Sequence, residues 1–135
     1  MSRNAQTVRL DATLREVHAL FARSQADVIP VVGRDETGWM RRVIGVVTRA
    51  DLLRFLMGAR TGRAVTRLRS KTVAEVLRRV RALHPTDSLG DATHRLLETG
   101  LAALPVTEAD GRMTGMLTLG DVLARPFARP LRSAL

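Results

Sequence analysis

Ile44-Gly45-Val46-Val47-Thr48-Arg49-Ala50-Asp51 ends an apolar run at a threonine and places an aspartate three residues further on. A short β-branched run of this kind reads as a strand, and a threonine where the period changes reads as the start of a helix. The pattern returns as Thr114-Gly115-Met116-Leu117-Thr118-Leu119-Gly120-Asp121. Both copies have the form Gly-x-x-Thr-x-x-Asp, and each has a Pro-Val pair upstream, Pro30-Val31 and Pro105-Val106.

The repeat extends on both sides of these stretches. Thr13 caps a helix over about 14–24 whose apolar face is Leu14, Val17 and Phe21; Leu89, Ala92 and Leu96 repeat that spacing, and Gly100 closes the second helix. Val28 to Val32 and Ala103 to Thr107 read as buried strands. Pro30 is expected near an edge or strand start, where its missing N–H is tolerated. Val43 to Val47 and Met113 to Leu117 are the following strands, the second entered through the turn Ala109-Asp110-Gly111-Arg112. Thr48 opens a helix to about Gly58, and Thr118 opens one that Pro126 ends. Leu14 to Leu89 and Pro30 to Pro105 are offset by 75, whereas Gly45 to Gly115, Thr48 to Thr118 and Asp51 to Asp121 are offset by 70. The difference falls in the turn holding Trp39, where insertions belong. Each repeat is helix–strand–strand–helix and cannot bury its apolar faces alone, so the two are expected to pack with pseudo-twofold symmetry.

Composition narrows the function classes. Hydrophobic residues make up 45% of the 135 residues, enough for a core, but only 3% are aromatic. The absence of cysteine excludes a disulfide framework, a thiolate metal site and a cysteine nucleophile, and fits a reducing cytoplasm. No apolar stretch approaches the roughly 20 residues of a membrane span, and the N-terminus lacks the apolar core of a signal peptide. The net charge of +9 is almost all arginine, Lys71 being the one lysine. Such a surface attracts nucleotides, nucleic acid, acidic partners or anionic lipid, although GC-rich coding produces the same bias.

The repeated motif allows two readings. At a strand end and helix start, unpaired N–H groups face outward and favour an anion. A threonine hydroxyl and, one turn on, an acceptor carboxylate suit the paired hydroxyls of a ribose. Gly45 and Gly115 let a ring or a backbone come close. Thr-x-x-Asp is equally a helix cap, in which the carboxylate bonds back to the cap's own N–H.

Taken together, Ile29-Pro30-Val31-Val32 with Gly45 to Leu53, then Leu104-Pro105-Val106 with Asp110 to Leu123, resemble a tandem pair of CBS domains, the regulatory module named after cystathionine β-synthase. The resemblance covers about residues 8–125. It implies an α+β fold of two β-α-β-β-α repeats with two clefts between them, which in this family often bind AMP, ADP, ATP or S-adenosylmethionine. By position, Thr48 and Asp51 would hold the ribose of one ligand, and Thr118 and Asp121 that of the other. Val28, Ile29 and Pro30, or Ala103, Leu104 and Pro105, would flank the adenine. Arg49 would reach a phosphate; its counterpart is Leu119, so the first cleft should prefer the more anionic ligand. The expected layout is a first repeat over 1–60, a basic linker over 61–71, a second repeat over 72–126 and a loose basic tail over 127–135. Thr72-Val73-Ala74-Glu75-Val76-Leu77 resembles the family's lead-in and has capping-box spacing, with a helix expected through Val80. Its counterpart before the first repeat would fall ahead of Met1, so the chain is expected to be a fragment or to have a shortened first repeat.

Other signals are weaker. Residues 54–81 hold nine basic side chains against one acid, Glu75, but no aromatic other than Phe55. Nucleic-acid binding is therefore the less favoured reading of that stretch. His18, His84 and His94 lack metal-ligand spacing, although His84, beside Pro85, is a candidate cleft residue. Trp39 and Met40 either meet a partner or cover the sheet. No P-loop or nucleophile–base pair is present, so catalysis is not expected. The expectation is a regulatory adenine-nucleotide-binding module, homodimeric through its helices and acting on an effector domain or partner. The alternatives are a ligand-free dimerisation or interaction module and a basic nucleic-acid-binding accessory domain.

Overall fold

The computed structural model describes residues 6–34, 41–58, 63–124 and 131; of residues 41, 63–65 and 67 it describes the backbone. The chain runs β1 (Val8–Arg9), α1 (Leu14–Arg23), β2 (Val28–Arg34), β3 (Arg41–Thr48), α2 (Arg49–Met57), α3 (Arg63–Ser70), a 3-10 turn (Val73–Glu75), α4 (Leu89–Thr99), β4 (Ala103–Thr107), β5 (Met113–Thr118) and α5 (Leu119–Leu123). This is an α+β fold of two repeats, divided into two compact units. One holds residues 6–33 and 44–80; the other holds 34, 41–43, 81–124 and 131.

In the N-terminal unit, α1 starts where the Thr13 hydroxyl accepts the Glu16 N–H at 3.2 Å. Its Leu14, Val17 and Phe21 are buried with Ile29, Val31, Val47, Leu52 and Leu56 in one core. The short β1 runs parallel to β2, pairing Val8 with Val31 and Arg9 with Val32, and β2 lies between β1 and β3. Pro30 therefore sits in the middle strand, but just before the two residues that β1 pairs, where no donor is needed. The stretch read as a basic linker is helical from Arg63 to Ser70. This α3 packs against α1 and α2, with Leu68 set on the core. Charge in the sequence obscured the apolar contact of Leu68.

The lead-in differs from its expectation. Thr72 makes no side-chain cap, and only a single 3-10 turn forms. No helix runs through Val80. Instead the Val73 N–H donates to the Ala12 carbonyl, and Arg78 exchanges two backbone hydrogen bonds with Val46, each 2.9 Å. Val73 and Val76 are buried in the core. The β-branched residues favour extended backbone, and the free edge at Val46 supplies partners that a short helix would lack. Gly45 permits this approach: a Cβ there would lie 2.5 Å from the Arg78 carbonyl oxygen.

In the C-terminal unit, Ser88 caps α4 by accepting the Asp91 N–H, and Leu89, Ala92 and Leu96 form its buried face. Gly100 ends it at φ 68°, as its position predicts. Strands β4 and β5 pair antiparallel from Ala103–Thr118 to Val106–Gly115, with an irregularity before Thr107. On the other side of β4, the Leu83 N–H donates to the Pro105 carbonyl and the Thr107 N–H to the Leu83 carbonyl, both 2.8 Å. Leu83 thus repeats the Val8–Val31 pairing 75 residues on. Gly111 turns the hairpin at φ 90°, and its carbonyl accepts the Val43 N–H. Leu131, in the expected loose tail, is buried, and its N–H donates to the Asp87 carbonyl. Trp39, Met40 and Pro126 lie outside the described residues.

Candidate functional site

The two motifs are held at corresponding places. In the first, the Thr48 hydroxyl accepts the Asp51 N–H at 2.9 Å and starts α2. The Arg49 N–H donates to the Asp27 carbonyl, which ties the helix start to the residue before Val28. In the second, the Thr118 hydroxyl accepts the Asp121 N–H at 3.1 Å, and the Leu119 N–H donates to the Ala102 carbonyl, the residue before Ala103. Each repeat therefore brings its Thr and Asp beside the start of its Pro-Val strand. Val28, Ile29 and Pro30 are buried, as are Ala103, Leu104 and Pro105.

The carboxylates are used differently. Asp121 completes a capping box by accepting the Thr118 N–H at 3.0 Å. Burial pushes the Asp121 carboxyl up, hydrogen bonds from the Thr118 backbone and side chain are among the interactions that push it down, and its pKa lies below the ordinary carboxylate value. Asp51 turns instead to two guanidinium groups, Arg54 at 2.8 Å and Arg78 at 2.9 Å. Its side chain is 17% exposed, against 71% for Arg54 and 41% for Arg78. The Arg54 pair is close to solvent and weak in energy; Arg78 holds the more sheltered side of Asp51. These residues, with Phe55, Glu75, Val76 and Leu77, line an open cavity of about 480 Å³.

Arg49, expected to reach a phosphate, makes its contacts with the α1–β2 connection. Its guanidinium lies 5.1 Å from the centre of the Phe21 ring and donates to the Ser24 and Ala26 carbonyls at 3.1 and 2.8 Å. It also pairs with Asp27 at 3.4 Å. These bonds fix the connection from α1 to β2 and leave the group turned into its own fold. Gly45 serves the approach of a backbone, the Arg78 carbonyl, rather than of a ring. Gly115 is buried on β5 opposite Val106.

Arg54, Phe55 and Arg78 were not among the residues singled out from sequence. Arg54 was reachable, since residues i and i+3 share a helix face. Arg78 was not, because it meets Asp51 only through the pairing with Val46. His84 is half-buried, with its Nδ1 2.7 Å from the Thr86 hydroxyl and its Nε2 3.9 Å from Glu108. His18 is exposed, and the exposed His94 pairs with Glu98. No cluster of metal-binding side chains occurs among the described residues.

The CBS-domain family model matches residues 1–58 and 72–127, the two repeats described above. The chain belongs to the CBS-domain family. This CBS pair is 33% identical over 117 residues to inosine-5'-monophosphate dehydrogenase of Mycobacterium leprae, covering 85% of the chain but 19% of that enzyme. The Mycobacterium tuberculosis enzyme is 32% identical with the same coverage. The chain thus spans about a fifth of the length of these curated relatives. Among solved structures, CBSX2 in complex with AMP is 27% identical, with a TM-score of 0.70 covering 92% of this chain and 90% of that one. The CBS-pair protein CBSX2 from Arabidopsis thaliana is 26% identical, with a TM-score of 0.74 and coverage of 92% and 88%. No helix among the described residues is long and apolar enough to cross a membrane.

Proposed function

We propose that this CBS pair is a regulatory module that binds an adenine nucleotide, with Thr48 and Asp51 receiving one ribose and Thr118 and Asp121 another. The observation that carries the reading is the matched placement of both Thr-Asp pairs at helix starts tied to the residue before Val28 and before Ala103. The AMP complex of the similar CBSX2 supports the ligand class. Adenine would lie against Val28, Ile29 and Pro30 in one repeat and Ala103, Leu104 and Pro105 in the other. The module has no catalytic role in this reading: it acts in the cytoplasm, as a homodimer, on an effector domain or partner that responds to ligand. Ligand shifts that effector only by binding its two states unequally.

Thermal shift with AMP, ADP, ATP and S-adenosylmethionine tests the proposal. A rise in melting temperature that saturates with at least one ligand is expected; no shift with any of the four refutes it. A ligand-free interaction module is the second reading. It is favoured by Leu53 and Leu123, which hold the same position in the two repeats and are 50% and 87% exposed. It predicts self-association that no nucleotide alters.

A further inference from the structure

The ion pair at Asp51 carries a consequence for ligand choice. Arg78 lies just after the lead-in of the second repeat, outside both Gly-x-x-Thr-x-x-Asp motifs. Its backbone is fixed by two hydrogen bonds to Val46, while its guanidinium contacts the Asp51 carboxylate and lines the 480 Å³ cavity. A ribose entering at Asp51 needs the carboxylate oxygens as acceptors. Arg54 and Arg78 both donate to the same oxygen, Oδ1, so a ribose that takes both oxygens displaces the exposed Arg54 and the more sheltered Arg78 from it, and the sheltered guanidinium so displaced needs another anion. Arg49 is turned elsewhere, its Nη2 donating to the Ser24 and Ala26 carbonyls and its Nε facing Asp27.

We propose that Arg78 is the specificity-determining residue of the Asp51 site, passing from the carboxylate to a ligand phosphate as the ribose takes its place, and so selecting a phosphorylated adenosine over the free nucleoside. The inference rests on the nucleotide-binding reading above. In the exchange each charged group leaves one partner for another: Asp51 moves from guanidinium to hydroxyls, and Arg78 from carboxylate to phosphate. An uncharged nucleoside breaks the first pair and offers nothing for the second. Because Arg78 belongs to the opening segment of the second repeat, which packs on Val46 of the first, the phosphate is sensed by that segment.

Isothermal titration of the full chain with AMP and with adenosine tests this, using wild type, Arg78→Gln and, as a matched loss of one charge, the exposed Arg79→Gln. Arg78→Gln should weaken AMP by about tenfold, the scale of one charge-assisted hydrogen bond, and leave adenosine as tight as in wild type or tighter, because no Arg78–Asp51 pair then has to be broken. Arg79→Gln should keep the wild-type ratio. Equal losses for AMP in the two variants, or equal losses for AMP and adenosine in Arg78→Gln, overturn the proposal and leave the nucleotide site standing. Binding of neither ligand by wild type removes the nucleotide site, and the proposal with it. If Arg78→Gln does not fold, the guanidinium resonance of Arg78 in the wild-type chain decides: a response to AMP different from the response to adenosine supports the exchange, and the same response to both overturns it.

Discussion

Replacing Gly45 by alanine tests how the lead-in is seated. Nothing in the Gly45 backbone requires glycine, since positive φ among the described glycines occurs only at Gly100 and Gly111. By propensity alone the change would stabilise the strand by about 0.5–1 kcal/mol. The added Cβ, however, would lie 2.5 Å from the Arg78 carbonyl oxygen and 2.7 Å from a Leu77 methyl. A leucine tip can move; a carbonyl paired with the Val46 N–H cannot move without losing that bond. Overpacking of this kind costs about 1–3 kcal/mol. Displacing the segment adds two hydrogen bonds at about 1 kcal/mol each. After the propensity gain, the net expectation is a loss of about 2–4.5 kcal/mol, or a melting temperature lower by roughly 10–15 °C. Urea denaturation of wild type and variant, followed by amide exchange at Val46 and Arg78, measures both parts. A Gly45→Ala chain as stable as wild type would show that the lead-in does not lie on Val46.

Gly100→Ala should cost about 1 kcal/mol in the same assay although nothing lies near the new methyl, because the strain is in φ. Gly33→Ala, whose Cβ would meet Ile44 at 3.4 Å, should stay within about 0.5 kcal/mol of wild type. Thr118→Ala should cost about 1 kcal/mol by removing the cap of α5. Asp121 has a lowered pKa in the folded chain, so its ionised form contributes stability above the ordinary value of 3.8, lost as pH falls through the folded pKa. Asp121→Asn should flatten that acid limb of the stability profile; an unchanged slope between about pH 5 and pH 2 contradicts it.

Local signals carried most of the fold. Thr13 and Ser88 before apolar faces, Gly100 at a left-handed helix end, and the two Pro-Val strands each act through neighbours within a few residues, so a sequence displays them directly. The segment from Thr72 to Val80 shows the opposite case. Its capping-box spacing is a local signal, yet the pairing of Arg78 with Val46, 32 positions earlier, decides its backbone. The candidate site followed the same division. Thr48, Asp51, Thr118 and Asp121 were legible because the motif repeats. The partners of their carboxylates were not: identical spacing gives a closed capping box at Asp121 and an arginine pair at Asp51. The bonds of Arg49 to the Ser24 and Ala26 carbonyls, more than 20 positions earlier, were likewise not legible beside Thr48.

Equilibrium titration of AMP into the wild-type chain, Asp51→Ala and Asp121→Ala tests the central claim most directly. Wild type should bind AMP, and each variant should lose one site while keeping the other. Wild-type binding unchanged in both variants, or no binding by wild type, would contradict it and return both aspartates to the work of holding helix starts.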